Sequence, residues 1–425
     1  MTAVEPAHVL VSGAGIAGCA AALSLAATGH TVTLIEPSTD TGKRFAGEWL
    51  HPPGVRALDR LGVAWRDLPH RPGLGFAVYP DDGLHPIVLP YPGGLTALAC
   101  RHDLLLDRIR HTAAQQPKVS LLYGRRVQAG ADGYPVITGP TPPNPVPTRG
   151  LWIRAEGRTA QSGPSHPRSH TLGLLLDDVE LPLEDFAHVF AAGPSPVLAY
   201  AINEGQVRMT IDVPAHLRRP GKPYDLHDYR QAMPAPLLAC AEAALRAGLG
   251  RWSANRSQPR SQYTTTPHAA FVGDAVGSHH PLSACGMTLA LLDGECIGAH
   301  AVKTYSLIRR WAGAVPEATA LTLHKILADA DGRDPVRQGL FRMWRSSPSA
   351  ANHSMQLLAM EENSLRRFSY TMLEILKFAI ASKPRSGKAL LAWTWWTLRL
   401  LYRLAAVRTN RVRGGLSRYF SRGRA

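Results

Sequence analysis

The stretch with the most chemical content runs from Gly273-Asp274-Ala275 through His280-Pro281-Leu282 to Gly286-Met287-Thr288-Leu289-Ala290-Leu291. Asp274 follows an apolar run, Ala269 to Val272, that reads as a strand; Pro281 breaks the chain, and the apolar run after Gly286 reads as a helix. A helix starting there aims free N–H groups and a partial positive charge at an electron-rich ring or oxygen. Far upstream, Gly13-x-Gly15-x-x-Gly18 follows the buried-strand run His8 to Val11. These glycines make a tight turn into a helix and let backbone approach a pyrophosphate. Gly29 suits the end of that helix, Thr31 to Ile35 is the next strand, and Glu36 stands where an acid binds a ribose 2′-hydroxyl. Ala17, inside the turn, and Pro37, after the acid, border the same site. An acid at that position disfavours a 2′-phosphate, so FAD or NAD is expected as the resident dinucleotide. A glycine-rich turn in a plain α/β unit is the competing explanation, and it leaves Glu36 without a role.

The elements needed to bring these two segments together define an α/β (α+β) fold. It has a Rossmann-type FAD-binding lobe of discontinuous sequence, a mixed β-sheet substrate lobe and a C-terminal helical region. The first is expected over 1–74, 96–160 and 262–305, with further strands at Val119–Tyr123 and Leu151–Ala155. Pro140, Pro142, Pro143, Pro145 and Pro147 make a stiff loop between two strands. The second lobe is expected over 75–95 and 161–261, with strands at His170–Leu176, His188–Ala192, Val197–Ile202 and Val207–Val213. The last alternates Val207, Met209, Ile211, Val213 with Arg208, Thr210, Asp212, which suits a sheet with one face covered and the other wet or lining a pocket. Residues 306–425 read as helices.

Charge is uneven along the chain. Residues 366–425 hold 14 of the 47 basic residues and one of the 32 acids, leaving 33 and 31 for the remainder. The basic tail also carries Trp393, Trp395, Trp396, Tyr402 and Phe420 among leucines. Its longest uncharged run, Ala389 to Leu398, is too short to span a bilayer. An interfacial helix on an anionic membrane surface is expected; nucleic acid ranks well below it, because the apolar content is high. The plain alternative is a tail helix packed on the core. The five cysteines show neither paired nor metal-like spacing, and no metal is expected; a reducing, cytoplasmic setting with peripheral membrane attachment fits. Residues 1–7 carry no basic region of the kind that opens a secretory signal.

Taken together, the chain resembles the FAD-dependent monooxygenases of the aromatic-hydroxylase group, and squalene epoxidase within it. Besides the two segments above, the resemblance rests on Arg44-x-x-Gly47-Glu48-x-Leu50-x-Pro52, Arg101-x-x-Leu104-x-x-x-Arg108, Ala155-Glu156-Gly157-Arg158, and the pair Pro196–Tyr200 and Val207–Pro214. It implies that Arg44, Arg101, Glu156, Gly273, Asp274, Pro281, Gly286 and Met287 join Gly13, Gly15, Ala17, Gly18, Glu36 and Pro37 around FAD. It further implies that reduced FAD meets O₂, gives a hydroperoxide at flavin C4a and donates an oxygen atom to an alkene. Such chemistry requires no protein nucleophile, and no acid–base dyad is evident. His280, Glu48 and Trp49 are the candidates nearest the flavin; a structural hydrogen bond for His280 and core packing for Trp49 are their plainer roles. Three departures stand out: Glu156 replaces the usual aspartate, Ala284-Cys285 replaces a glycine pair, and no counterpart of the N-terminal membrane anchor of eukaryotic members is expected.

The expected substrate is a lipophilic isoprenoid alkene, squalene or a prenylated or terpenoid precursor, with O₂ as co-substrate. NAD(P)H is the expected electron source, directly or through a flavin reductase. Aromatic ring hydroxylation, flavin-dependent saturation of isoprenoid double bonds, and a non-enzymatic flavin-binding role at a membrane remain open alternatives.

Overall fold

The computed structural model of the chain describes residues 7–41, 47–160, 167, 169–218, 224–256, 258–260, 263–266, 268–328, 334–382 and 387–411. Arg44 lies outside the described residues.

The apolar run at the start becomes the strand His8–Ser12, buried on both faces as a central parallel strand must be. It pairs in parallel with Thr31–Glu36 on one side and Leu151–Arg154 on the other. Val119–Tyr123 and Ala269–Phe271 extend this sheet in parallel, and Thr264–Thr266 closes one edge antiparallel. The crossover helix Ile16–Ala27 is alanine-rich and buried along most of its length. It ends where Gly29 takes a φ of 100°, with His30 N–H donating to Leu25 O and Gly29 N–H to Ala26 O, a Schellman stop.

A seven-stranded mixed sheet follows the order Arg251–Asn255, Ser169–Asp177, Gln206–Pro214, Val197–Asn203, Phe186–Phe190, Gly75–Tyr79, Ile87–Pro90. Only Phe186–Phe190 and Gly75–Tyr79 pair in parallel among these described strands. Side-chain alternation divides its two faces. Val207, Met209, Ile211 and Val213 pack beneath the helix Ala235–Arg246. On the opposite face Leu198, Tyr200 and Ile202 join the core made with the C-terminal helices. Arg208 and Asp212 also lie on that opposite face and are largely covered, because both meet partners from other segments: Glu48 and His280.

The helices Gly286–Ala299, Val302–Leu327, Pro335–Ser346, Pro348–Leu358, Leu365–Ser382 and Gly387–Arg411 follow in the last third of the chain. Asp334 caps one of them, accepting from Val336 N at 2.8 Å and Arg337 N at 3.2 Å, with Pro335 in its first turn. Gly387–Arg411 buries Leu390, Trp393, Leu400 and Leu404 against the core, so the packed-tail alternative holds for one face. Leu391, Trp395, Leu398 and Tyr402, spaced i, i+4, i+7, i+11, form a second, exposed stripe. No described helix is long and apolar enough to cross a membrane.

Candidate functional site

The three loop glycines are required for three different reasons. Gly13 has a φ of 95°, and a Cβ there would come within 2.5 Å of Ala155 O. A Cβ on Gly18 would overlap Gly13 O, so this residue lets helix and strand close up. Around Gly15 an added Cβ meets nothing within 4 Å: this surface is open, at a helix start whose N-cap supplies no side-chain hydrogen bond. Glu36 shapes the loop from the next strand, accepting from Ala14 N at 2.8 Å and from Ser38 N at 3.1 Å. Pro37 follows it on the exposed surface.

The second segment docks directly on the first. Gly273, with a φ of 63°, would bring a Cβ within 2.6 Å of the Ala17 side chain. The half-buried Asp274 lies 3.5 Å from the Arg158 guanidinium. Beneath the loop, Asp293 is fully buried, accepts from Gly273 N at 2.9 Å and pairs with both Arg260 and Arg309. Arg260 Nη1 donates at 3.0 Å to the carbonyls of Gly273 and Gly277. Burial works against the charged Arg260, yet Asp293 beside it holds the pKa above its ordinary value. Sequence reading missed this triad; the signal was an acid in the middle of the apolar helical run Leu289 to Ile297, which needs a buried cation.

His280 faces the seven-stranded sheet. Its Nδ1 accepts from Leu282 N at 3.3 Å, so Nε2 carries the hydrogen, 2.9 Å from Ser169 Oγ and 3.3 Å from Asp212 Oδ1. Burial raises the Asp212 pKa, but His280 and Ser169 outweigh it and hold the carboxyl below its usual range. The His324 ring lies against the His280 ring, tilted by 55° with centroids 4.2 Å apart. Asp212, His280 and His324 place ligand-type atoms within 4.8 Å of one another; hydrogen bonds engage Asp212 and His280, including Asn255 Nδ2 to Asp212 Oδ1 at 3.1 Å. After Pro281, whose surface is exposed, Ala284 takes a φ of 51° and turns the chain into the helix at Gly286. Gly286 is exposed, Met287 half-buried, and the N-cap Cys285 offers no side-chain bond to the first turn.

Glu48 is buried and held bidentately by Arg208, at 2.6 and 3.0 Å, while accepting from His102 N at 3.1 Å. Trp49 packs against Phe76 and Tyr200. A chain of hydrogen bonds runs from it: Trp49 Nε1 donates to Tyr91 Oη at 3.0 Å, Tyr91 to His51 Nδ1 at 2.7 Å, and His51 Nε2 to Ser283 O at 3.0 Å. Burial lowers the His51 pKa to about 4, so the ring is neutral. Arg101 pairs with Asp103 and is partly exposed, whereas Arg110, which sequence reading passed over, donates to Ala14 O at 2.8 Å in the glycine loop. Glu156 accepts from Ser12 Oγ at 2.6 Å and lies 3.4 Å from Arg154.

These features fit a bound FAD. Two uncapped helix starts stand at one end of a packed helix pair. Gly15 and Gly286 leave backbone open to approach. His279 Nε2 is sealed without a partner among the described residues.

A cavity with about 770 Å³ of atom-free space, counting its mouth, lies between the seven-stranded sheet and the C-terminal helices. Phe76 and Leu89 line it from the sheet, Leu282 from the segment after His280, and Thr319, Trp344 and Met372 from the helices. None of the described residues lining it is ionisable. The helical share of this wall was not foreseen from sequence, where residues 306–425 read as an appendage.

Residues 8–135 match the family model of FAD-dependent oxidoreductases, and residues 158–362 match that of squalene epoxidase. Squalene epoxidase 1 of Arabidopsis thaliana is 30% identical over 310 residues, 68% of this chain and 58% of that protein. Squalene monooxygenase SE2 of Panax ginseng is 28% identical over 307 residues, 67% of this chain and 56% of that protein. The chain thus spans less than two thirds of the length of these relatives. A solved structure described as a probable FAD-dependent monooxygenase from Pseudomonas aeruginosa aligns with a TM-score of 0.62 at 16% identity, covering 76% of this chain and 97% of that one. That likeness shows the fold.

Proposed function

We propose that the chain, which matches an FAD-dependent oxidoreductase model over 8–135 and a squalene epoxidase model over 158–362, is an FAD-dependent monooxygenase that epoxidises an alkene of a lipophilic isoprenoid. The observation that carries this reading is the apolar cavity walled by Leu282, two residues from His280 and close to the helix start at Gly286. FAD, when bound and reduced, supplies activation of O₂ and an electrophilic oxygen atom. The chain's own residues bind, orient and exclude water. The open backbone at Gly15 receives the pyrophosphate, Glu36 the ribose, and Asp274 with the Gly286–Met287 backbone the remainder. The apolar wall holds the alkene in place and keeps water out. His280 and the Glu48–Arg208 pair position the segments around the flavin.

NAD(P)H is the proposed electron source, directly or through a flavin reductase. The division into 1–74, 96–160 and 262–305, then 75–95 and 161–261, then 306–425 is the domain organisation in this reading. The exposed stripe on Gly387–Arg411 attaches the protein peripherally to the cytoplasmic face of a membrane. Phenol hydroxylation is less favoured, because it wants a base beside the ring and none of the described lining residues is ionisable.

The test is mass spectrometry of products formed under ¹⁸O₂, with FAD, NADPH, a flavin reductase and a panel of polyprenyl and prenyl-aromatic compounds. One heavy oxygen, placed by fragmentation on a former double bond, is the expected result. A phenol moves the protein to ring hydroxylation. Two added hydrogens without label move it to alkene reduction. Bound FAD with no product from any compound counts for the non-enzymatic reading.

A further inference from the structure

Within the cavity wall, hydroxyl groups are mostly committed to their own helices. Thr322 donates to Ala318 O at 2.7 Å, Thr371 to Arg367 O at 3.1 Å and Ser354 to Ala350 O at 2.9 Å, each four residues back. Two wall residues differ. Thr319 Oγ1, on Val302–Leu327, and Trp344 Nε1, on Pro335–Ser346, are buried polar atoms with no hydrogen-bond partner among the described residues. One is a hydroxyl that donates and accepts; the other is an indole N–H that only donates. All other described lining residues are aliphatic, aromatic or thioether side chains, or the three hydroxyls already spent.

Buried polar groups are normally paired, and an unpaired one is costly. A pure hydrocarbon ligand has no lone pair for either atom. It would seal both groups in an apolar environment. A ligand bearing oxygen, as an alcohol, ether or carbonyl, can offer an acceptor of the kind that Trp344 Nε1 or Thr319 Oγ1 lacks. Resting on the epoxidase reading above, we infer that the cavity selects an oxygen-bearing isoprenoid, with Thr319 and Trp344 as specificity-determining residues, over a bare hydrocarbon such as squalene. A site built to hydrogen-bond a substrate oxygen discriminates strongly against the analogue without it, whereas extra methylenes are poorly distinguished.

The test is equilibrium dialysis of the FAD-loaded protein against two tritiated probes. These are geranylgeraniol and the C20 hydrocarbon in which hydrogen replaces its hydroxyl. The alcohol is expected to bind at least about tenfold tighter, a ratio worth ~1.4 kcal/mol. Thr319→Val keeps the side-chain shape and Trp344→Phe keeps an aromatic ring, while each removes the polar atom; each is expected to weaken the alcohol more than the hydrocarbon and so reduce the preference. Thr319→Ser keeps the hydroxyl and is expected to keep the preference, which guards against a variant that merely misfolds. Equal affinities in the wild type, or a preference that survives in both Thr319→Val and Trp344→Phe, would overturn the inference. Dialysis requires no turnover, so its outcome is independent of the labelled-oxygen experiment. A protein that prefers the alcohol yet oxygenates nothing keeps this inference and loses the epoxidase reading.

Discussion

Gly298 lies against Ser24 so closely that a Cβ on the glycine would come within 2.5 Å of the Ser24 Cβ. Four residues earlier, Gly294 meets Ala20 at 2.6 Å and Ala17 O at 2.8 Å by the same measure, and Ser24 Oγ donates to Glu295 O at 2.9 Å. Contacts advance in the same direction along both helices, so Ile16–Ala27 and Gly286–Ala299 run side by side with their N-termini at one end. Small residues at this seam are what allow two segments far apart in sequence to bring their helix starts, with free N–H groups, to one end of the packed pair.

The loop glycines separate binding from folding. Gly15→Val adds bulk where an added Cβ meets no protein atom, so it should leave the apo-protein's melting temperature nearly unchanged while abolishing flavin retention. Gly18→Val drives a side chain into Gly13 O and should fail to fold. Asp274→Ala should also lose FAD. Flavin absorbance per protein after desalting, with calorimetry on the same samples, reads all three; tight FAD in Asp274→Ala removes that residue from the site.

Glu48 and Arg208 are a buried bidentate pair joining the Gly47–Leu50 stretch to the seven-stranded sheet. Glu48→Gln leaves a buried guanidinium half-satisfied and should cost about 3–5 kcal/mol in urea unfolding. Replacing both partners with apolar residues, Glu48→Leu with Arg208→Met, should cost less than the single change. A single substitution costing under ~1 kcal/mol would show that solvent reaches the pair.

His51 gives a signed dependence on pH. Burial holds its folded pKa at about 4, against an ordinary 6.5. Between those values the unfolded chain binds the proton and the folded chain does not. Stability is therefore full above pH 6.5 and falls as the pH drops towards 4, by up to ~1.4 kcal/mol per unit. His188, lowered to about 4, and His279, lowered to about 3, act in the same sense, so the difference between wild type and His51→Gln isolates the residue. Urea midpoints from pH 7.5 to 5 should fall less steeply in the variant; parallel slopes would mean that His51 titrates normally.

The tail helix can be divided face by face. Replacing Leu391, Trp395, Leu398 and Tyr402 with serine touches only exposed side chains and should shift stability little, while releasing the protein from sedimenting anionic vesicles. Trp393→Ala, on the packed face, should cost about 3–5 kcal/mol without that effect. Undiminished vesicle binding by the fourfold serine variant would sink the membrane-surface reading.

The nucleotide loop was legible in the sequence because its requirements are local: a strand, three glycines at fixed spacing, a stop at Gly29 and an acid after the next strand. Strand Gln206–Pro214 was legible by alternation, but alternation alone left open whether Arg208 and Asp212 met water or protein. Their partners, Glu48 and His280, come from distant segments, and period-two patterning carries no information about them. The same limit hid Arg110. It shares the helix His102–Ala114 with Arg108, just after Arg101, and only the packed orientation of that helix decides which guanidinium reaches Ala14. The cavity was least legible, because helices apolar on more than one face look alike whether they line a void or fill it.

Leu365–Ser382 presents Phe368, Thr371, Met372 and Ile375 to the cavity, while Tyr370, Leu373 and Ile380 look outward. Interior and exterior are divided there by a partition one helix thick, ~10 Å. A single helix thus carries both the wall of the cavity and an exposed apolar stripe, with only its own backbone between them.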